Sequence, residues 1–282
     1  MQLDYAVPSG DLTDYITVFY LFAVDTPLFE DHERADHAQF RFRLTPGGQT
    51  YRFIDGTEQS PPDIHIIGPT SGPIHVRAPG PARLFGMGVT PAGWGAMIGS
   101  EASSVLNRTL DATLLFGAAR LRIAAAALAS APDIAACVAI AEPLIRELVQ
   151  HGDASTCGFV QQVDGWLSAS TSPDIEDLVV QTGLSRRQVE RKCNALYGAP
   201  PKLLARKYRA LRAAVALHMS DENLDDVIGR GFYDQSHLIR EVKQFTGLTP
   251  RQIRADPGAL QQLTFAQRVA LDGQVSPMVS GT

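Results

Sequence analysis

Lysine is the scarce residue of this 282-residue chain. It occurs only four times, as Lys192, Lys202, Lys207 and Lys243. Residues 1–159 contain none, and there ten arginines face 17 acids, a net charge of −7. An acidic half of that kind is excluded as the seat of polyanion binding. Cysteine is rarer still, with three. Cys137, Cys157 and Cys193 form no Cys-x-x-Cys pair, which excludes a disulfide framework and the usual zinc-finger spacing. The longest greasy run, residues 123–131, falls far short of the roughly 20 residues that span a bilayer. MQLDYAVPSG at the start lacks a charged n-region and an apolar core, so no secretory leader and a cytoplasmic location are expected.

Catalytic signatures are missing too. GVTPAGWG lacks the Lys-Ser/Thr ending of a phosphate loop, and there is no Gly-x-Ser-x-Gly elbow. His32 and His37 lie in the charged stretch DHERADH, which reads as a solvated connector. His65 and His75 lie on separate strands without the His-x-His pair that a metal site in a barrel would need. No metal, no cofactor and no enzymatic activity are expected.

What is present is concentrated. Ser185 to Arg212 (SRRQVERKCNALYGAPPKLLARKYRALR) holds nine Lys or Arg residues and one acid, Glu190. Residues 160–256 carry 14 basic and 12 acidic groups, a net +2 despite the +8 run inside them. Such a run in an acidic protein is an electrostatic footprint for a polyanion. It is also ordered. Val189, Cys193 and Leu196 repeat at helical spacing on one face; Arg187, Arg191 and Asn194 share another. Ser185 is a good N-cap, Thr182-Gly183-Leu184 a turn, and residues 175–181 a short preceding helix with Asp174 to cap it. Helix, glycine turn and a helix with a basic face make a helix-turn-helix pattern.

The pattern repeats. A shift of 49 residues places Asp177 on Asp226, Arg191 on Arg240, Gly198 on Gly247 and Pro201 on Pro250. Val189, Cys193 and Leu196 fall on Leu238, Val242 and Phe245. Between the units, Pro200-Pro201 opens an uninterrupted helical stretch to about His218. About 18 residues at 1.5 Å each make a rod of roughly 27 Å, near the ~34 Å that separates successive major-groove faces.

In GLSRRQVER (183–191), in Arg209, Ala213 and Leu217, in GFYDQSHLIREVKQFTGLTP (231–250) and in Arg251, the chain resembles the AraC/XylS-type transcription regulators over residues 160–256. Two departures stand out. Four steps separate Val227 from Gly231 where the family pattern has five, and Cys193 replaces a favoured aromatic. The resemblance implies a DNA-binding domain of two helix-turn-helix units joined by a long helix, and a cupin-like barrel before it. Ser185, Arg186, Arg187, Gln188, Arg191, Lys202 and Lys207 in the first unit and its following helix are the expected DNA contacts. In the second unit they are Gln235, Ser236, His237, Arg240 and Lys243. Double-stranded DNA is the expected partner, with a small-molecule effector, a homodimer and, in an activator, RNA polymerase alongside it; no membrane is expected.

The N-terminal half reads as short strands between Gly/Pro turns. Ala38, Phe40, Phe42 and Leu44 alternate with Gln39, Arg41 and Arg43, a half-buried strand with its polar face in solvent. Residues 51–54, 64–67, 74–78 and 83–89 add four more, and helical stretches follow at 91–98, 114–128 and 134–149. Strand spacing alone leaves barrel and sandwich open. The expected architecture is multidomain α+β: a β-rich sensing or dimerisation domain (1–116), a helical connector and linker (117–155, the linker at 151–155), an all-α DNA-binding domain (156–258) and a C-terminal tail (259–282) that is weakly helical up to Leu271 and frayed at SPMVSGT. Two other readings are a cupin-type enzyme fused to a helical interaction domain, and a helical module whose basic run binds acidic proteins.

Overall fold

The computed structural model describes residues 1–149, 156–220 and 223–282; the expected linker at 151–155 lies outside them. Ten strands form the N-terminal part: β1 (Gln2–Ala6), β2 (Ile16–Val24), β3 (Leu28–Glu33), β4 (Ala38–Arg43), β5 (Thr50–Arg52), β6 (Glu58–Gln59), β7 (Ile64–Ile67), β8 (Ile74–Pro79), β9 (Ala82–Val89) and β10 (Thr109–Asp111). They pair antiparallel into a six-stranded sheet, β1-β2-β9-β4-β7-β10, and a four-stranded sheet, β3-β8-β5-β6.

Helices α1 (Pro91–Met97), α2 (Ala112–Phe116), α3 (Ala118–Ser130) and α4 (Ile134–Val149) follow. The expected single helix at 114–128 is broken at Gly117, whose φ of 91° ends α2 and starts α3. These helices cover the outer face of the larger sheet, where Phe19, Phe40, Phe42, Phe85 and Met87 join Leu121, Leu128, Cys137 and Ile145 in one core. A second core, with Tyr20, Phe29, Tyr51, Ile67 and Val76, fills the space between the sheets. The arrangement is a sandwich whose larger sheet is covered on both faces.

That cover overturns the expectation for β4. Its phenylalanines do face a core, but Gln39, Arg41 and Arg43 do not face water; they point between the sheets, and each is no more than 6% exposed. Alternation shows that the two faces differ, not which one is wet. His32 is likewise on β3, where its ring lies 4.8 Å from that of His75, and not in a loop.

The C-terminal part is helical: α5 (Thr156–Ala169), α6 (Ile175–Thr182), α7 (Arg186–Tyr197), α8 (Pro201–Met219), α9 (Leu224–Gly229), α10 (Gln235–Thr246), α11 (Pro250–Ala255), α12 (Ala259–Val269) and α13 (Pro277–Ser280). The expected core stripes hold. Val189, Cys193, Leu238 and Val242 are fully buried, and Leu196 and Phe245 are buried beside them. Gly198 and Gly247 take the left-handed conformation at the ends of α7 and α10, as their register in the repeat requires.

The tail is not frayed. Phe265 of α12 completes the core of the second unit with Leu217, Val227, Leu238, Val242 and Ile253. The other side of α12 lies on β1 and β3, so that Leu260 joins the core between the sheets. Met278 and Val279 are buried as well, Met278 against the first unit. Each of these residues buries apolar surface against a partner distant in the chain, which a local reading of weak helix propensity does not register.

Candidate nucleic-acid interface and a buried cavity

Each recognition helix is set by local chemistry. Ser185 Oγ accepts from the Gln188 backbone N–H, and the Gln188 side chain accepts from the Ser185 N–H, a full capping box at the start of α7. In α10 the Asp234 carboxylate accepts from the His237 N–H at 2.6 Å. α6 and α9, the helices preceding α7 and α10, are capped by Asp174 and Asn223. α9 runs six residues and α6 eight, in line with the shortened spacing before Gly231.

The expected contact residues divide into groups. Arg187 and Arg191 are exposed on α7, and Lys202 is exposed at the start of α8; none has an ion-pair partner among the described residues. Arg186 is exposed but engaged with Glu176 at 3.2 Å and Glu190 at 3.7 Å. Ser185 and Gln188 are surface residues occupied by their cap. On α10, Gln235, Ser236, Arg240 and Lys243 are exposed, while His237 is half-buried with Nδ1 accepting from the Tyr233 N–H.

Lys207 stands apart and corrects the reading of the basic run. It is 6% exposed, and its Nζ donates to the carbonyls of Asp36 (2.6 Å) and Thr70 (3.1 Å) in the N-terminal sandwich. Burial pulls its pKa down to about 8. In this conformation it cannot meet a phosphate. The periodicity of α8 places 204, 208 and 211 on the apolar side, and 207 belongs to the same stripe.

Two features were missed. Glu241, on α10, is buried and bound by Arg206 (2.7 Å) and Arg209 (3.2 Å) of α8. Two charges of the basic run are thus spent inside the protein, and one acid of the second unit is neutralised. Tyr233, just ahead of α10, is 91% exposed, a bare aromatic at a recognition-helix N-terminus.

The two halves meet along α8 and α12. Beyond Lys207, the Tyr208 hydroxyl is 2.7 Å from His37 Nε2, the Ala35 N–H donates to Phe245 O, and Arg268 pairs with Asp36. Burial alone would raise the pKa of Asp36, but the Arg268 and Arg34 guanidiniums hold it well below the ordinary carboxylate value.

Between the sheets, capped by α12, lies a cavity of about 90 Å³. Its wall is largely aromatic and aliphatic, including Leu3, Tyr20, Phe22, Phe29 and Val76. Arg41 occupies its floor, bidentate to Glu33 (2.9 and 2.6 Å) and donating to the hydroxyls of Tyr20 (2.8 Å) and Tyr51 (3.2 Å). Gly86 makes room for this, since a Cβ there would collide with the Tyr20 ring. His65, behind Tyr51, is held neutral by burial and by the Arg41 charge, with its pKa near 3. Among the described residues no cluster of His, Cys, Asp or Glu could hold a metal ion, and no helix is long and apolar enough to cross a membrane.

The class this geometry defines is a β-sandwich followed by two tandem helix-turn-helix units. The comparisons agree for the second part. Residues 178–256 match a helix-turn-helix domain family. The F1 operon positive regulatory protein of Yersinia pestis is 35% identical over 85 residues, 30% of this chain and 28% of that one; the chain thus spans little more than a quarter of that relative's length. Among solved structures, ToxT from Vibrio cholerae aligns with 83% of this chain and 97% of its own, at a TM-score of 0.48 and 8% identity. The AraC-like transcriptional activator CuxR aligns with 68% and 79%, at 0.34 and 13%. Residues 178–256 of this chain are thus a helix-turn-helix domain, by their elements and by the family model they match.

Proposed function

We propose that the protein is a sequence-specific, DNA-binding transcription regulator whose N-terminal sandwich senses a small molecule. The observation that carries the reading is the pair of capped helix-turn-helix units over the family-matched segment, with Arg187, Arg191, Lys202, Arg240 and Lys243 exposed on or beside α7 and α10. Base edges would be read from the N-terminal halves of those helices, around Arg187, Gln188 and Arg191 and around Gln235, Ser236 and Arg240. The sandwich supplies the cavity and the contacts to α8, so its occupancy can bias how the DNA-binding part is held. We read the protein as a cytoplasmic regulator without enzymatic activity, with a homodimer and, in an activator, RNA polymerase as its further partners.

Binding-site selection on the purified full-length protein tests the reading. The expected result is an enriched motif with nanomolar affinity that weakens steeply with salt. Recovery of no motif, with weak binding of equal strength to all duplexes, would contradict it.

A further inference from the structure

We propose that the loop at 68–73, which joins β7 to β8, is a brace that fixes the two recognition helices relative to each other, and that Asn107 is the positioning residue that keeps it stiff. The proposal rests on the reading of α7 and α10 as DNA-reading helices and names what sets their mutual orientation.

The loop, Gly68-Pro69-Thr70-Ser71-Gly72-Pro73, touches three helices of the C-terminal part. Pro69 lies on Gly198, where α7 ends: a Cβ on that glycine would stand 3.2 Å from Pro69 Cγ and 3.3 Å from Ala102 O. Pro73 lies on Gly247, where α10 ends, and a Cβ there would stand 3.3 Å from the proline ring. A Cβ on Gly72 would come within 3.0 Å of Gln244 O, in the last turn of α10. Between these two ends, Thr70 O accepts from Lys207 Nζ of α8 at 3.1 Å. Gly198 and Gly247 are equivalent positions of the 49-residue repeat. An incidental interface has no reason to select the same point of both units, whereas a part that orients one unit against the other has.

The loop is held from behind. Among the described residues Asn107 is the one non-glycine with a positive φ, 56°, a conformation that asparagine tolerates better than most side chains. Its side-chain amide grips Ser71: Oδ1 accepts from the Ser71 N–H and Nδ2 donates to Ser71 Oγ, both at 2.9 Å. Its own N–H donates to Pro69 O at 3.0 Å. Thr70 Oγ1 accepts from the Asp36 N–H at 2.8 Å. Asn107 and Thr70 are both buried, so water does not compete for these bonds.

The long helix α8 already joins the units, giving Leu204 and Tyr208 to the first core and Ala213, Ala214 and Leu217 to the second. A single rod sets how far apart two bodies stand but lets them twist about its axis. A second span, from Gly198 through the loop to Gly247, removes that freedom. Reading DNA depends on it, because one base pair added between half-sites moves one of them by about 3.4 Å and turns it by roughly 34°.

The test is a distance measurement between spin labels on the full-length protein, without DNA. The labels go on Arg187→Cys and Ser236→Cys, exposed and repeat-equivalent sites on α7 and α10. Cys157→Ser removes the partly exposed native thiol, while Cys137 and Cys193 are buried. One narrow distance distribution is expected. Asn107→Gly keeps the left-handed backbone and deletes the grip on Ser71, and should widen the distribution about twofold. Gly198→Ala, which sets a Cβ against Pro69, should widen it too. Gly183→Ala carries the same backbone strain with nothing within 4 Å of the new Cβ, and should leave the width unchanged. On the selected DNA site, one base pair inserted between half-sites should cost the wild type about tenfold in affinity and the Asn107→Gly protein about threefold or less. Unchanged widths in Asn107→Gly and Gly198→Ala, a Gly183→Ala width that grows with them, or an equal cost of the inserted base pair in both proteins overturns the proposal. The two glycine variants decide it should Asn107→Gly fail to fold. If site selection finds no motif, the regulator reading falls while the distances still decide the brace.

Discussion

Lys207 Nζ donates to the backbone carbonyl of Asp36 at 2.6 Å, from the middle of the long helix into the N-terminal sandwich. The lysine that the charge pattern assigned to DNA is a fastener between halves. Lys202, five residues earlier, is exposed and free to meet a phosphate. Lys207→Ala is therefore expected to lower stability by about 1–3 kcal/mol, by leaving buried carbonyl groups short of a donor. The slope of DNA affinity against salt should stay unchanged. Lys202→Ala should do the reverse and reduce that slope by about one unit. Melting curves and salt titrations of the two variants check the pair.

The same lysine predicts a pH response. Its folded pKa, about 8, lies below its ordinary 10.5 because burial disfavours the charged form. Between these values the unfolded chain binds more protons than the folded one, so the contribution of Lys207 to stability increases as pH rises from about 8 towards 10.5. The stability difference between the wild type and Lys207→Ala should grow across that window and be flat below it. Denaturant unfolding at pH 7, 8 and 9 measures it; a difference that shrinks as pH rises would contradict the assignment.

Among the described residues Arg187 and Arg191 have no ion partner, and they face away from the buried Val189 and Cys193. Arg187→Ala is expected to relax base preference at one position, at a cost of about 1–3 kcal/mol for the preferred base, with little change in melting temperature. Competition binding against single-base variants of the selected site separates this from a uniform loss of affinity, the outcome expected of a phosphate contact.

The two units are expected to read DNA unequally, with a sharp half-site under α7 and a degenerate one under α10. α9 is the shorter supporting helix, and Asp225, Asp226 and Asp234 remain exposed around the second unit. Glu241 does not belong with those acids, because Arg206 and Arg209 hold it. Glu241→Ala should therefore not strengthen DNA binding by removing a repulsive charge. It should destabilise the second unit by about 2–4 kcal/mol, by stranding partly buried guanidiniums. Equal information content in both half-sites, or a tighter-binding Glu241→Ala variant, would sink this reading.

Phe265 gives a prediction about boundaries. It is fully buried in the second unit although it follows the expected end of the DNA-binding domain at 258. A fragment spanning 156–258 lacks that side chain and opens a cavity, whose cost for a phenylalanine is about 3–5 kcal/mol. The 156–270 fragment should melt higher and bind duplex DNA more tightly than 156–258, whereas residues 1–150 should not bind it.

Much of the helical half could be read from residue order, because its signals are local. Ser185, Asp174, Gly198 and Gly247 act within one turn of where they stand, and the 49-residue repeat made each unit a check on the other. What escaped was long-range. The partners of Lys207 are Asp36 and Thr70, far back in the chain, and no spacing rule joins them. Arg41 and Arg43 have the pattern of a solvent face until α2–α4 cover the opposite side of the sheet. The cavity depends on Arg34 and Gln49 meeting Gln261 through the folding of the whole chain, so its polar set could not be named from sequence. The tail was misjudged for the same reason, since its order comes from β1, β3 and the second unit.

α12 rests on β1, the first strand, while its Phe265 sits inside the last helix-turn-helix core. Nearly the entire length of the polypeptide is thereby closed into one ring of contacts. A loop that long costs only slightly more entropy to close than one half its length. Once closed, it ties the melting of either half to the other. The protein should consequently lose its structure in a single calorimetric transition, and a cut within 256–258 should split that transition into two.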